Sequence, residues 1–191
     1  MARPLSATDD EILDASQQVL KRRGLDGFSV SEVARELGLS RTAITLRFKS
    51  ADELKRTLIT RNAESFEARV LALDIRQGAA GLLAIAELIG EMAGGRDNFS
   101  NFMMRYTSNV QDPILVKLEE RRGEILRTAI ARAMPETAIT REDAVDAFMA
   151  HLTGSLMNWH TRGDLDGRQF LHNRAMNWIR LVGIPVEEDQ G

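Results

Sequence analysis

The stretch SRTAITLRF, Ser40 to Phe48, decides the fold of this chain. Its apolar residues Ile44, Leu46 and Phe48 alternate with polar ones, which is the period of a half-buried β-strand. In an α-helix, by contrast, Ile44 and Leu46 would point about 200° apart, so that one core could not bury both side chains. If this stretch is a strand, it requires a partner strand. If it is a helix, Leu46 is exposed to solvent and its exposure requires an explanation.

The remainder of the chain has the residue spacing of helices. Three predicted capping boxes each begin an apolar stripe of helical period. These boxes are Thr8 with Glu11, Ser29 with Glu32, and Ser50 with Glu53, the last of which begins a long helix over 50–73; further helical patterns cover 79–93, 98–110, 112–135, 140–162 and 166–183. No second convincing strand candidate appears, and a lone strand leaves its backbone groups unpaired. We therefore predict an all-α fold in which SRTAITLRF is a helix.

A turn at Gly38 separates this helix from the short helical pattern before it. Two short helices joined by a glycine-containing turn and packed on an earlier helix form a helix-turn-helix, here at about 29–48. The second helix of such a motif enters the major groove of DNA. Ile44 and Phe48, four residues apart, are expected to face the core, while Thr42 and Leu46 face away from it.

The outward face of this helix carries methyl groups flanked by cations. Methyl groups can pack against the thymine methyl group in the major groove, and flanking Lys and Arg side chains can reach phosphates or a guanine edge. Helix N-termini near 29 and 50 add backbone N–H groups suited to phosphate. The predicted DNA contacts are Ser29, Ser31, Ser40, Arg41, Thr42, Ala43, Thr45, Leu46, Arg47, Lys49 and Lys55. The alternative is an ordinary solvated face, on which an exposed leucine is common.

The run ILDASQQVLKRRGLDGFSVSEVARELGLSRTAITLRFKSADELKRTLI resembles the N-terminal domain of TetR-type (tetracycline-repressor-like) transcriptional regulators over about residues 8–61. The resemblance implies an all-helical homodimer of about nine helices per subunit. It implies a helix-turn-helix DNA-binding domain at 1–61 and a ligand-binding and dimerisation domain at 62–191. In that family the last two long helices form a four-helix dimer interface, and a small molecule typically releases the operator.

The chain departs from the family's usual pattern at three positions. The family often has an aromatic residue where Thr45 stands, Tyr or His where Arg47 stands, and a phosphate-binding Lys where Ala51 stands. Lys49 or Lys55 could supply the missing cation. These departures affect base preference and one phosphate contact rather than the fold.

Two further sets of residues are candidates for a ligand pocket and a dimer interface. Methionine and aromatic side chains repack around varied ligands, so the pocket candidates are Met92, Phe99, Phe102, Met103, Tyr106, Phe148 and Trp159. The 140–162 helix is apolar nearly all round, so that one of its faces could meet a partner. The interface candidates are Phe148, Leu152, Leu156, Trp159, Phe170, Trp178 and Leu181. Core packing is the alternative for both sets.

Composition limits the remaining classes. The chain has 191 residues and a net charge of −3, with 11 Lys and Arg against 9 Asp and Glu in residues 1–61, and 14 against 19 in 62–191. It has no cysteine, and it shows no phosphate loop, nucleophile elbow, metal-ligand quartet, secretory signal or membrane span. His151, His160 and His172 do not share one helical face. We therefore expect no enzyme, no metal, no cofactor and no membrane partner, and a cytoplasmic location.

The sequence thus predicts a ligand-responsive repressor that binds a pseudo-palindromic operator as a homodimer and is released by an apolar or amphipathic small molecule. The alternative is a helical interaction module of the same fold that does not bind DNA. The acidic net charge and Ala51 favour that alternative.

Overall fold

The computed structural model describes residues 7–93, 103–104, 106–162 and 165–186, and within these ranges the regular structure is entirely helical. The helices are α1 Asp9–Arg23, α2 Val30–Leu37, α3 Arg41–Phe48, α4 Ala51–Leu71, α5 Ala79–Ala93, α6 at residues 103–104 and 106–109, α7 Leu115–Ala133, α8 Arg141–Arg162 and α9 Gly167–Leu181. The predicted all-α fold of about nine helices is confirmed. SRTAITLRF forms α3, with Ser40 as its N-cap.

Thr8, Ser29 and Ser50 each accept the N–H of the glutamate three residues on, but of the three predicted capping boxes only the one at α1 is complete. At α1 the capping box is complete, since the Thr8 N–H donates to Glu11 Oε2 at 2.6 Å and the Glu11 N–H donates to Thr8 Oγ1 at 3.2 Å. Ser29 caps α2, but the second hydrogen bond of its predicted capping box, from the Ser29 N–H to the Glu32 carboxylate, does not form. The Glu32 carboxylate instead pairs with two arginines, Arg23 at 2.9 Å and Arg35 at 2.6 Å. The charged partners outcompete a neutral backbone N–H because charge-assisted hydrogen bonds are stronger.

The chain divides into two compact units, Met1–Ser65 with Asn101–Glu119, and Phe66–Ser100 with Glu120–Gly191. The segment around α6 and the start of α7 thus groups with the first unit, whereas the sequence prediction placed every residue beyond 61 in the second domain. A side-chain contact within the first unit joins this segment to α4. Arg56 of α4 donates to Asp112 Oδ2 from Nε at 3.1 Å and from the other guanidinium arm at 3.0 Å.

The first unit has one hydrophobic core to which all four N-terminal helices contribute. Its buried residues are Ile12, Leu13, Ala15, Val19 and Leu20 of α1, Val30, Val33 and Ala34 of α2, Ile44 and Phe48 of α3, and Leu54 and Leu58 of α4. Because α3 contributes only two large side chains, four residues apart, a single stripe of that helix fixes its orientation.

In the second unit, α5 and α9 approach each other closely. A Cβ atom on Gly90 would lie 2.2 Å from the carbonyl oxygen of Gly167, so that the backbones touch where both residues lack side chains. Beside this contact the Glu87 carboxylate accepts hydrogen bonds from Arg168 at 2.6 Å and from His172 Nδ1 at 2.8 Å. Partial burial raises the pKa of Glu87, but these bonds outweigh it and hold the pKa below its ordinary value.

None of the helices in the described ranges combines the length and apolarity that crossing a lipid bilayer requires.

The close approach of α5 and α9 predicts the effect of a single methyl group. Gly90→Ala should lower the free energy of unfolding by about 1–3 kcal/mol, because the added carbon overpacks the contact with Gly167. Gly123→Ala in α7 is the matched control, since nothing lies within 4 Å of its Cβ position. That change should stabilise the protein by about 0.5–1 kcal/mol, as alanine normally does in a helix. Denaturant unfolding measures both, and an equal effect of the two substitutions would contradict the close contact.

Candidate DNA-binding surface

The turn between α2 and α3 sets the direction in which α3 leaves the core. Gly38 adopts a left-handed conformation, φ 64° and ψ 25°, which glycine tolerates without strain. The Gly38 N–H donates to the Arg35 carbonyl oxygen at 3.3 Å and the Leu39 N–H donates to the Ala34 carbonyl oxygen at 2.9 Å. This pair of bonds is the Schellman motif, which ends α2 and satisfies its last carbonyls.

Helix α3 has one buried face and one exposed face, as predicted. Ile44 is 0% and Phe48 6% exposed, whereas Leu46 is 80% exposed. Thr42 is also exposed, and Ala43 is half-buried on the flank. The outward face is therefore a row of methyl groups supported by a rigid core.

The hydroxyl groups of this surface are largely engaged by the protein's own backbone. Thr45 Oγ1 donates to the carbonyl oxygens of Arg41 and Thr42, both at 3.2 Å. Ser40 Oγ accepts the Ala43 N–H at 3.1 Å, and Ser29 Oγ accepts the N–H of Glu32 at 3.3 Å. Ser31 is exposed on the first turn of α2. Of the predicted hydroxyl contacts, Thr42 and Ser31 are thus the better placed to hydrogen-bond an outside partner.

The four predicted cations differ in how much they are held by the protein. The side chain of Arg41 is exposed, and its guanidinium makes no hydrogen bond or ion pair among the described residues. Lys49 has an 81% exposed side chain, with Glu53 3.9 Å away. Arg47 donates to the Ala7 carbonyl oxygen and lies 3.2 Å from Asp9 Oδ1.

Lys55, the fourth cation, has a side chain that is only 22% exposed and lies 3.9 Å from Asp52. The side chains of Arg41 and Lys49 are therefore the most accessible to a phosphate, whereas Arg47 is restrained and Lys55 is partly covered.

Lys49 occupies a backbone conformation that costs energy. Its φ of 52° and ψ of −44° lie outside the usual regions, and the Ser50 N–H donates to the Phe48 carbonyl oxygen across it. This is a γ-turn with positive φ, a rare and strained form. A non-glycine residue held in such a region costs about 1–3 kcal/mol, and such residues cluster at functional sites. A lysine at a position where glycine would relax the backbone points to a role for the lysine side chain.

The candidate ligand-pocket residues are distributed over both units and the residues outside the described ranges. Phe99 and Phe102 lie outside the described residues. Met92, Phe148 and Trp159 belong to the second unit, Met103 and Tyr106 to the first. Phe148 and Trp159 are buried, and the Trp159 Nε1–H donates to the Leu165 carbonyl oxygen at 2.9 Å.

A cleft of about 470 Å³ is present in the first unit, and it is lined mostly by charged and hydroxyl side chains of α1 and α4. Its lining is Asp10, Leu13, Glu53, Arg56, Thr57, Thr60, Arg61 and Glu64. None of the candidate pocket residues borders it.

The candidate interface residues divide into buried and exposed sets. Phe148, Leu152, Trp159 and Phe170 are buried in the second unit of their own chain, where the Phe148 ring packs 4.9 Å from the ring of Trp178. Leu156 and Trp178 are half-buried, and Leu181 is 83% exposed. Only the last three remain at the surface of the single chain.

Comparison with known proteins agrees with this geometry. Residues 12–56, which run from α1 through α2 and α3 to the start of α4, match the model of the family described as bacterial regulatory proteins, tetR family. No curated protein matches the sequence significantly.

Several solved structures share the fold over almost the whole chain. A member of the TetR family from Streptomyces coelicolor A3 is 22% identical, with a TM-score of 0.67 and coverage of 93% of this chain and 98% of that one. A protein from Saccharomonospora viridis in complex with choline is 18% identical, with a TM-score of 0.77 and the same two coverages. The multidrug-binding protein EbrR in complex with malachite green is 22% identical, with a TM-score of 0.65 and again 93% and 98% coverage. At these identities the likeness shows the fold alone.

The family match and the shared fold agree with each other. Residues 12–56 match the tetR family model, and the described chain shares its fold with solved transcriptional regulators, a TetR-family member among them. The resemblance inferred from the sequence is confirmed.

The two faces of α3 predict opposite outcomes for two equivalent truncations. Ile44→Ala should lower the free energy of unfolding by about 2–5 kcal/mol, since it leaves a cavity in the core. Leu46→Ala should change it by less than about 0.5 kcal/mol, because the side chain is solvated. Denaturant unfolding of the two variants measures the difference. A loss of stability in Leu46→Ala as large as that in Ile44→Ala would show that the faces of α3 are assigned wrongly.

Proposed function

We propose that the protein is a ligand-responsive transcriptional repressor that binds a pseudo-palindromic operator as a homodimer. The observation that carries the proposal is the 80% exposed Leu46 on a helix whose opposite face is fully buried, within a region that matches the tetR family model. A core that holds α3 so firmly, yet leaves its methyl-rich face in solvent, supports insertion of that face into a groove.

The proposed contacts combine apolar and electrostatic terms. The methyl groups of Leu46, Thr42 and Ala43 would pack against thymine methyl groups in a major groove about 12 Å wide. Arg41, which is unpaired among the described residues, and Lys49, whose side chain is 81% exposed, would bind phosphates on either side and supply most of the salt-dependent affinity. Since this surface offers few hydrogen-bond donors to base edges, the proposed operator is rich in A·T pairs at the positions that α3 reaches.

The dimer and the effector are proposed from the fold. Two copies related by a two-fold axis would place two α3 helices in successive major grooves. The remaining surface positions of the predicted interface, Leu156, Trp178 and Leu181, lie on α8 and α9 and support pairing through those helices. The neighbours solved with choline, proflavin and malachite green support a small organic effector, apolar or amphipathic, bound by residues 62–191.

Release of DNA by that effector would follow from differential affinity. An effector that binds one conformation better shifts the population toward it, by at most the difference between its affinities for the two. If the favoured conformation has the wrong spacing between the two α3 helices, the operator is released.

The competing function is a helical interaction module that does not bind DNA. The net charge of −3 and the restraint of Arg47 by Asp9 favour it. Fluorescence anisotropy separates the two functions, with the DNA flanking the protein's own gene and a random duplex as probes at graded KCl. The repressor should bind the flanking DNA more tightly, and its affinity should fall steeply with salt. Binding weaker than about 10 μM to every duplex at moderate salt would leave the interaction module as the function.

The strained position of Lys49 allows function to be separated from stability. Lys49→Gly removes the cation and relaxes the backbone, so the free energy of unfolding should stay equal or rise by up to about 1 kcal/mol. DNA affinity should fall for all sequences, and the slope of log affinity against log salt should shrink by about one.

Arg132→Ala is the matched control for this variant. Arg132 is an exposed cation of α7 with no hydrogen bond or ion pair among the described residues, and its loss changes the net charge equally. DNA binding by this control should match the wild type. An unchanged salt slope in Lys49→Gly would show that Lys49 does not contact phosphate, and a loss of stability would contradict the strain at this position.

A further inference from the structure

The guanidinium of Arg47 is held against the beginning of α1 rather than extended along α3. Its NH1 group donates to the carbonyl oxygen of Ala7 and to Asp9 Oδ1, the latter at 3.2 Å. Arg47 and Asp9 are 38 residues apart in sequence, so their contact joins α3 to α1.

This restraint is weak enough to open. The side chains of Arg47 and Asp9 are 39% and 69% exposed, and solvent-exposed ion pairs contribute little to stability. Among the described residues, these contacts engage one arm of the guanidinium. The positive end of the α1 dipole also disfavours a cation at this place. The negative charge of Asp9 therefore makes the site acceptable to Arg47.

The neighbouring carboxylates have other partners. Arg61 of α4 pairs with Asp14 at 2.9 Å and lies 3.9 Å from Asp10. The Glu11 carboxylate is held by Thr8 in the capping box. Among the described residues, Asp9 is thus the carboxylate that pairs with Arg47.

We propose that Asp9 limits the DNA affinity of this domain by holding Arg47, for whose guanidinium the phosphate backbone competes. The inference rests on the proposed function and deepens it by naming an internal competitor for one of the contacts. On binding, a phosphate oxygen would replace Asp9 Oδ1 as the acceptor, since both are anionic acceptors that a guanidinium fits. The ion pair between Asp9 and Arg47 must break before the phosphate binds, so its free energy reduces the free energy of DNA binding.

Asp9→Asn tests the proposal because it removes the charge while keeping the size of the side chain. With a random duplex as the probe, this variant should bind about two- to fivefold more tightly than the wild type, the range that corresponds to an exposed ion pair. Asp26→Asn is the matched control, since Asp26 is exposed, lies in the same unit and makes no hydrogen bond or ion pair among the described residues. The change in DNA affinity caused by Asp26→Asn measures the loss of one negative charge alone, and it should be smaller than the change caused by Asp9→Asn.

Arg47→Ala completes the cycle and separates competition from general electrostatics. In the Arg47→Ala background, Asp9→Asn should tighten binding no more than Asp26→Asn does, because there is no guanidinium to release. Thermal unfolding of each variant confirms that the domain is folded.

Three results would overturn the proposal. Weaker binding by Asp9→Asn would make the pair a positioning contact that DNA binding needs. Equal tightening by Asp9→Asn and Asp26→Asn, or an undiminished effect of Asp9→Asn without Arg47, would reduce it to general electrostatics. If the wild type binds the duplex with a steep salt dependence in these cases, the proposed function stands and only the competition fails. If neither the wild type nor Asp9→Asn binds, both fall.

Discussion

The burial of Ile44 and Phe48 is the interaction on which the rest of the N-terminal unit depends. These two side chains join α3 to a core formed with α1, α2 and α4. Burying two large apolar side chains stabilises the docked helix by several kcal/mol, at roughly 1.5–3 kcal/mol each. Because they lie four residues apart, they leave the opposite side of α3 in solvent at a fixed angle. The exposure of Leu46 is a consequence of that geometry rather than a defect of packing.

The charges around α3 are held to different degrees, and the difference shapes what the surface can do. Arg41 is unrestrained among the described residues, Lys49 is displayed by a strained turn, and Arg47 is tied to Asp9. The apolar face of α3 is thus fixed by the core, whereas the number of cations available for phosphate depends on whether Arg47 is paired with Asp9. Phosphate contacts position a protein on a duplex, whereas contacts to base edges specify the sequence. In this protein the apolar component would carry most of the sequence preference.

The sequence was sufficient to predict what depends on local patterns. The spacing of Ile44, Leu46 and Phe48 gave both faces of α3 once a lone strand was excluded, and the caps at Thr8, Ser29 and Ser40 are short-range hydrogen bonds. Interactions between distant side chains were not predictable in this way.

Three such interactions show why. Glu32 was expected to complete its capping box, but its carboxylate pairs with Arg23, which only the packing of α1 on α2 brings within reach. Asp9 and Arg47 are 38 residues apart, so no local pattern in the sequence predicts their pairing. Arg56 and Asp112, whose side chains pair within the first unit, are likewise 56 residues apart. Long charged side chains select their partners by tertiary geometry, which periodicity does not contain.

A hydroxyl-radical footprint on the DNA flanking the protein's own gene tests the central claim most directly. If the outward face of α3 enters the major groove in a two-fold dimer, two protected patches should appear on one face of the duplex. Their centres should lie about 10–10.5 base pairs, or a multiple of that distance, apart. Uniform cleavage at protein concentrations that saturate other duplex-binding proteins, or protection without any helical spacing, would contradict the claim.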